Sequence, residues 1–259
     1  MTKRTIASMS GAVTVLALSI ALCMAPATAE DTKAPTEPPQ PADVLRAMSA
    51  YLAKQKAFTL HAEIEFDEFL PGDLKVRLSG ALDMGVSRPG SLHADYRDDV
   101  MDRLVWFENG RVTIVDPPGG TWAQITVPKD IDGMVAKLEK EFGMTLPLAE
   151  LAESDPYAVL TRGVESAHYL GVHNVEGIFC HHVLLQRQDL EIQVFVAVGD
   201  KPVPRKLVFE HLNGTRSRQF TASITDWSFA APNADLFVPK IPKGAGKVDF
   251  LPLQPQEGR

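Results

Sequence analysis

Strict alternation of apolar and polar residues runs through most of this chain and limits the folds open to it. From Leu60 to Asp67 every even position is apolar and every odd position is polar. From Leu74 to Val86 the even positions again hold apolar residues or glycine. Successive side chains of a β-strand point to opposite faces, so this pattern predicts strands that bury one face and leave the other in water.

Further runs of this kind follow one another along the chain, with short turns between them. Asn109–Gly110 is the strongest hairpin signal, because this pair suits a type I′ turn between two apolar runs. Antiparallel strands joined by short turns can keep one wet face. The sequence therefore predicts an antiparallel meander of about ten or eleven strands, the later ones at 92–97, 104–107, 112–115, 122–127, 167–172, 179–185, 192–198, 205–211 and 220–227.

In two segments the apolar residues recur with the period of an α-helix instead. The pattern from Pro41 to Phe58 is amphipathic, with Asp43 as the predicted cap. Between Asp130 and Gly163, Asp130 and Asp155 precede further predicted helices, a short helical run is expected from Pro147 to Ala152, and Gly143 suits a left-handed helix end. One helix face in this second segment carries Ile131, Met134, Val135, Leu138 and Phe142.

A long sheet that is apolar on one face must curl, and the enclosed face must be filled. The predicted helices are the available filler. We therefore expect a mainly β member of the α+β class: a curved antiparallel sheet, or half-open β-barrel, with an N-terminal helix and a helical lid. Such a fold leaves an apolar groove suited to apolar ligands. The helices could open as a lid or form permanent core.

The N-terminus has the features of a secretory signal peptide. Lys3 and Arg4 precede an apolar run, and Ala27–Thr28–Ala29 supplies small residues for cleavage. We predict a signal peptide at 1–29, a disordered Pro-rich linker at 30–42, one domain at 43–250 and a flexible tail at 251–259. The protein is therefore expected in the periplasm, without a stable membrane anchor.

The charge of the chain argues against nucleic acid as a partner. The formal net charge is −7, and loss of Lys3 and Arg4 with the signal peptide would make it more negative. A polyanion is not attracted to such a surface. After cleavage Cys180 would be the only cysteine, so no intramolecular disulfide is expected and packing must stabilise the domain.

Four motifs in sequence order resemble a family of exported bacterial proteins known only as a domain of unknown function. They are Ser154-Asp155-Pro156-Tyr157, the stretch from Gly177 to His182, the stretch from Gly199 to Leu207, and Thr225-Asp226-Trp227. The resemblance covers about Asp43 to Phe250. Members look like relatives of the periplasmic lipoprotein carriers, the lipoprotein localisation factor superfamily.

This resemblance implies a half-open barrel of antiparallel strands with a helical lid over a cavity for acyl chains. It implies no catalytic residue, and we expect neither a metal nor a cofactor. It does imply a cavity lining, which falls on strand and lid positions of this sequence. The predicted ligand-binding residues are Leu60, Ile64, Phe66, Val76, Leu78, Leu82, Ile131, Met134, Leu138 and Phe142.

Cys180-His181-His182 is the cluster that most resembles a metal or catalytic site, because thiolates and imidazoles serve both purposes. On a strand, however, Cys180 and His182 share one face and His181 points to the other. A closed metal site would need two more ligands from elsewhere. Structural packing is therefore the favoured interpretation of this cluster, with a metal site or catalysis as alternatives.

The predicted function is a periplasmic binding protein that shelters an acyl chain, a lipid or a lipoprotein, without catalysis. One alternative is an envelope sensor or interaction module that uses the same groove to bind an envelope protein. The other is a metal-dependent enzyme built on Cys180 and His182.

Overall fold

The computed structural model describes residues 37–213 and 216–253 of the 259-residue chain. The predicted signal peptide, residues 30–36 of the predicted linker and residues 254–259 of the predicted tail lie outside the described residues. The first helix begins at Pro41.

Twelve strands form one sheet in the described residues. Its spatial order is β12-β6-β5-β4-β3-β2-β1-β11-β10-β9-β8-β7. The strands are β1 (Ala57–Leu70), β2 (Leu74–Ser87), β3 (Ser91–Asp98), β4 (Asp102–Glu108), β5 (Arg111–Asp116), β6 (Thr121–Thr126), β7 (Ser166–Val175), β8 (Ile178–Gln186), β9 (Leu190–Ala197), β10 (Pro204–Asn213), β11 (Arg216–Ser228) and β12 (Gly246–Lys247).

The curved, open, mainly antiparallel sheet confirms the predicted fold class. The first eleven strands are the eleven predicted from alternation. The twelfth is a difference: β12 has only two residues and pairs in parallel with β6. A strand of two residues is too short to show alternation of apolar and polar residues, so the sequence pattern does not predict it.

The sheet consists of two meanders that meet at its centre. Strands β1 to β6 run outward in one direction and β11 to β7 in the other, and β1 pairs with β11 between them. The strands β6 and β7 are consecutive in sequence but lie near opposite edges of the sheet. The helical segment between these strands therefore has to cross the whole sheet.

Cross-strand register gives the sheet one apolar face, here called the inner face. Even positions of β1 pair with even positions of β2, as in Leu60 with Met84 and Ala62 with Leu82. On the other side of β1, Ile64 pairs with Ala222. These side chains are buried together with the helices in one core. The outer face carries the odd positions of β1.

Three α-helices and a 3₁₀ turn cover the inner face. Helix α1 is Pro41–Ala53, α2 is Ile131–Phe142, the 3₁₀ turn is Ala149–Leu151, and α3 is Pro156–Thr161. Together α2, the 3₁₀ turn and α3 are called the lid below. Within it Leu138, Leu151 and Leu160 are almost wholly buried.

The predicted caps of the lid are confirmed. Asp130 accepts a hydrogen bond from the amide of Gly133 at 2.8 Å, and Asp155 accepts from the amide of Ala158 at 3.1 Å. Gly143 ends α2 in the left-handed conformation, with φ of 62°.

Two local predictions about the helices were wrong, and a third was confirmed only in part. Gln40 precedes the first turn of α1, and Pro41 occupies its start, so Asp43 lies inside that turn and is not the cap. Helix α1 ends at Ala53, and Phe58 belongs to β1 because its ring enters the core. The run from Pro147 to Ala152 forms only a 3₁₀ turn, since Leu148 adopts a positive φ of 60°.

The last described residues form a strap, defined here as residues 229–253, that passes from the outer face to the lid. The strap contains one 3₁₀ turn, Ala234–Phe237, which lies on the outer face. There Trp106 Nε1 donates a hydrogen bond to the carbonyl of Leu236 at 3.1 Å. After β12, the ring of Phe250 contacts that of Phe142 with centroids 5.4 Å apart. The amide of Leu253 donates to the carbonyl of Glu141 at 2.7 Å.

Candidate functional site

The helices seal six of the ten predicted ligand-binding residues. None of the six is more than 3% exposed. The lid therefore rests directly on the centre of the inner face, and these side chains pack against one another in the described structure. The six are Leu60, Ile64 and Leu82 on the sheet and Ile131, Met134 and Leu138 on α2.

The other four predicted residues, Phe66, Val76, Leu78 and Phe142, are only partly buried. On the sheet, Phe66 lies directly opposite Leu78 on β2 and opposite Phe220 on β11. Phe209 of β10 continues the row, with its ring centroid 6.2 Å from that of Phe220. The inner face thus continues as an apolar surface beyond the buried centre.

We call this part of the inner face the open apolar surface. It extends across five adjacent strands, from β3 to β10 through β2, β1 and β11. Each member either packs against the buried core or lies beyond a core residue on the same strand, and part of its side chain is exposed to solvent. The members are Phe66, Val76, Leu78, Tyr96, Phe209 and Phe220.

The open apolar surface leads to the β1–β2 turn, where apolar side chains are more exposed. Leu70 and Leu74 face each other across this hairpin and are 46% and 63% exposed. The ion pair of Arg218 and Glu68 lies beside them, and Arg218 donates a hydrogen bond to Glu68 Oε1 at 3.2 Å. The apolar surface therefore ends at a charged border.

A cavity of about 300 Å³ lies at the C-terminal end of α2. Its apolar lining includes Ile114 and Ala123 of the inner face, Phe142 of the lid, Met144 just after α2, and Phe250 of the strap. Phe142 is thus placed at a cavity, as a ligand-binding role would require. Nothing in the local sequence pattern indicates that the strap reaches this position.

Polar contacts fix the middle of the lid to the sheet. The guanidinium group of Arg88, at the end of β2, donates to the carbonyls of Ala152 and Leu151, the latter at 3.4 Å. Burial lowers the pKa of Arg88, and the nearby Asp132 carboxylate opposes that shift. Asp132 of α2 in turn accepts from the amide of Ser154 at 2.9 Å and from its hydroxyl.

The sequence profile of a family described as "Predicted periplasmic protein (DUF2092)" matches residues 42–251. The match covers most of the chain. The protein belongs to the DUF2092 family. This confirms both the predicted family of exported bacterial proteins and the predicted periplasmic location. No curated protein sequence matches the chain significantly.

Solved structures similar to this DUF2092 protein come from diverse bacteria. An uncharacterised conserved protein from Thermus thermophilus is 8% identical, with a TM-score of 0.47 over 80% of this chain and 97% of that one. LprF from Mycobacterium bovis is 12% identical, with a TM-score of 0.43 over 81% and 99%. A LolA superfamily protein from Nitrosomonas europaea is 8% identical, with a TM-score of 0.39 over 78% and 99%.

The Cys180-His181-His182 cluster of this DUF2092 protein is divided between two environments. Cys180 is fully buried, and burial raises the pKa of its thiol. His182 stacks on Phe195 with ring centroids 3.9 Å apart, while His181 is hydrogen-bonded to the hydroxyl of Tyr169 at 2.9 Å. In the part of the chain that the structure describes, no three His, Cys, Asp or Glu side chains are placed to hold a metal ion.

The outer face has a cavity of about 390 Å³ beneath the strap, lined by both charged and apolar residues. His61 lies there, hydrogen-bonded to Asp83 at 2.8 Å and to Glu63 at 3.2 Å. The hydrogen bond with Asp83 is the main cause of the raised pKa of His61. His61 and Asp83 are brought together only by pairing of β1 with β2, so no local sequence pattern indicates this cavity.

The described helices of this DUF2092 protein include none long and apolar enough to cross a membrane.

Proposed function

We propose that this protein is a periplasmic binding protein that shelters an acyl chain, a lipid or the acylated part of a lipoprotein, without catalysis. The observation that carries the proposal is the open apolar surface, which extends the buried inner face toward solvent. Isolated exposed apolar residues are common on proteins, but a continuous apolar surface across five strands is characteristic of a binding site.

The border of this surface fits an amphiphilic ligand. An acyl chain along Phe66, Leu78 and Phe220 would leave its polar group near the Arg218–Glu68 pair at the hairpin end. Burial of apolar area contributes roughly 25 cal/mol per Å², so covering about 200 Å² would contribute about 5 kcal/mol. No polar recognition motif is then required.

Opening of the lid would enlarge the site. Leu60, Ile64 and Leu82 lie on the same face as the open apolar surface and are buried in the same core as Met134 and Leu138 of α2. If the lid moves away, a chain bound at the open apolar surface can continue into the centre of the sheet. All ten predicted residues would then contact ligand, as the binding hypothesis requires.

Uptake of a fluorescent fatty acid tests this proposal. Leu78→Asp places a charge in the open apolar surface and should weaken uptake at least about tenfold, since a desolvated carboxylate costs far more than 1.4 kcal/mol. Ser223→Asp places the same charge on the outer face of β11 and serves as the control. Equal uptake by Leu78→Asp and the unaltered protein would contradict the proposal.

Native mass spectrometry of protein purified from periplasm without detergent identifies the occupant. A bound mass that resolves into fatty acid, phospholipid or acylated peptide supports the binding function. A protein of defined mass in its place, with no lipid, would support the alternative of an envelope sensor or interaction module.

A further inference from the structure

The end of the strap joins one edge of the sheet to the end of α2. We call residues 246–253 the strap end. The amide of Val248, directly after β12, donates to the carbonyl of Trp122 on β6 at 2.9 Å. The amide of Leu253 donates to the carbonyl of Glu141 in the last turn of α2 at 2.7 Å. The strap end therefore spans from β6 to α2.

Little of the strap end is buried between these two attachments. The ring of Phe250 packs against the core and contacts the ring of Phe142. Leu251 and Leu253, in contrast, are 82% and 58% exposed, and β12 has only two residues. Segments with few buried apolar contacts open more readily than the core around them. The strap end is thus a part of the fold that can separate while the sheet stays intact.

The strap end is also one wall of the cavity of about 300 Å³ at the C-terminal end of α2. Val248, Phe250 and Leu251 line the cavity from the strap, and Ile114 and Ala123 line it from the inner face. An apolar cavity of about 150 Å³ already admits a benzene molecule. The cavity is therefore large enough for part of a hydrocarbon chain, and it becomes larger when the strap end leaves.

The cavity adjoins the open apolar surface. Tyr96, a member of that surface on β3, pairs with Arg103 on β4, and Arg103 lines the cavity. Residues paired across neighbouring strands point to the same face of a sheet, so the cavity lies on the inner face, one strand beyond Tyr96. Asp116 and Asp249 line it as well, and with Arg103 they add charged groups to the apolar lining. A chain bound at the open apolar surface can thus extend into the cavity along the same face.

We propose that this cavity is a subsite for the hydrocarbon chain of an acyl ligand and that the strap end gates it. In the ligand-free protein Phe250 fills part of the subsite, and the entering chain displaces it. This inference rests on the proposed binding function, because it states where the far end of the chain goes and which segment controls entry. The exchange replaces one apolar contact of Phe142 by another, so it costs little free energy and is reversible.

Displacement of the strap end also acts on the lid. The side chain of Leu253 lies over Gly143, where an added Cβ would be 3.1 Å from Leu253 Cδ2. The same residue supplies the amide that donates to Glu141. When the strap end leaves, the C-terminal end of α2 loses both contacts. Entry of a chain into the subsite therefore loosens this end of α2.

Quenching of tryptophan fluorescence tests the subsite. Trp122 lines the cavity, whereas Trp106 and Trp227 lie elsewhere in the described structure. Bromine quenches an indole ring only at close contact. A fatty acid with bromine at the methyl end of its chain should quench the fluorescence that the variant Trp122→Phe lacks. The same acid with bromine beside its carboxyl group should leave that fluorescence unchanged, and equilibrium dialysis measures uptake of both acids separately.

A second variant tests the strap end as the gate. Phe250→Ala removes the ring that fills the subsite and should bind the fatty acid at least about threefold more tightly, since a site that is only partly available binds with reduced apparent affinity. Val238→Ala removes an exposed apolar side chain from another part of the strap and should bind like the unaltered protein. Circular dichroism shows that both variants are folded.

The outcomes separate the subsite from the binding function. Uptake of the end-brominated acid without quenching of Trp122 would overturn the subsite and leave the proposed binding function in place. Quenching of Trp122 together with equal or weaker binding by Phe250→Ala would overturn the gate. Absence of uptake by the unaltered protein would refute the binding function and the subsite together.

Discussion

The hydroxyl of Ser49 on α1 donates to Asp155 Oδ1 at 3.0 Å, although 106 residues separate the two in sequence. The same hydroxyl accepts a hydrogen bond from the amide of Tyr157 at 3.1 Å. Asp155 also caps α3 through the amide of Ala158. A single serine thus joins the N-terminal helix to the first turn of the last lid helix.

Replacement of Ser49 by alanine should lower the free energy of unfolding by about 1 to 2 kcal/mol, because the charged Asp155 loses a donor and a buried amide loses its acceptor. Urea unfolding measures this difference. Ser223→Ala, at a half-buried outer-face position, should change stability by less than about 0.5 kcal/mol. Equal unfolding midpoints for the two variants would contradict the role assigned to Ser49.

Replacement of Arg88 by methionine should loosen the middle of the lid and leave the sheet intact. The carbonyls of Leu151 and Ala152 lose a charged donor, whose hydrogen bonds are worth about 1.5 to 3 kcal/mol. Hydrogen exchange in residues 149–154 should increase at least about tenfold. The exposed Arg111 offers a matched control, Arg111→Met, which should leave this exchange unchanged.

A methyl group at Gly85 should force the side chain of Leu236 in the strap to shift. A Cβ at Gly85 would lie 2.5 Å from Leu236 Cδ2, closer than two carbon atoms can approach. Gly85→Ala should therefore destabilise the protein by about 1 to 3 kcal/mol. In a double-mutant cycle, Leu236→Ala should recover part of that loss, and strictly additive effects would show that the strap does not rest on this glycine.

Asp67 should stabilise the hairpin in a pH-dependent way. Burial alone would raise its pKa, but hydrogen bonds from Lys75, the amide of Gln219 and Arg77 outweigh this effect and lower the pKa. The stabilisation is therefore present above pH 3.8 and is lost as the pH falls through the lowered pKa.

The substitution Asp67→Asn should cost about 2 kcal/mol at pH 7, because charge-assisted hydrogen bonds are lost, and the difference should shrink below pH 3.8. Unfolding in urea at several pH values checks this. Glu65→Gln, at an exposed position two residues away on the same face, should show no comparable pH dependence. A constant difference between Asp67→Asn and the unaltered protein would contradict the assignment.

Cys180 should resist thiol reagents in the folded protein, because it is fully buried and its thiol pKa is raised by that burial. Labelling should follow unfolding and should be absent at low urea. Cys180→Ser should leave fatty acid uptake unchanged. Loss of uptake in this variant would instead favour a direct role for the thiol.

The fold could be predicted from sequence where local pattern decides the structure. Alternation located the first eleven strands, and Asn109–Gly110 forms the predicted turn with both φ angles positive, at 52° and 78°. Asp130 and Gly143 bound α2 as predicted because caps act within one turn of helix. The strap could not be predicted, since its position depends on the finished outer face and on the end of α2.

The candidate site was harder to predict for a physical reason. An apolar position on a strand has the same sequence signal whether it contacts a ligand or another side chain. Ile64 and Phe66 are neighbours on one face of β1, yet the lid seals the first and leaves the second partly open. Phe209 and Phe220 join Phe66 only through pairing of β1, β11 and β10, which the local pattern does not specify.

The lid is attached at both ends, to β6 on one side of the sheet and to β7 on the other. It cannot swing outward on a single hinge. Any opening must keep both attachments, so the lid would have to rise from the inner face as a bridge between the two halves of the sheet, and the loops that join it to β6 and β7 would have to change conformation together.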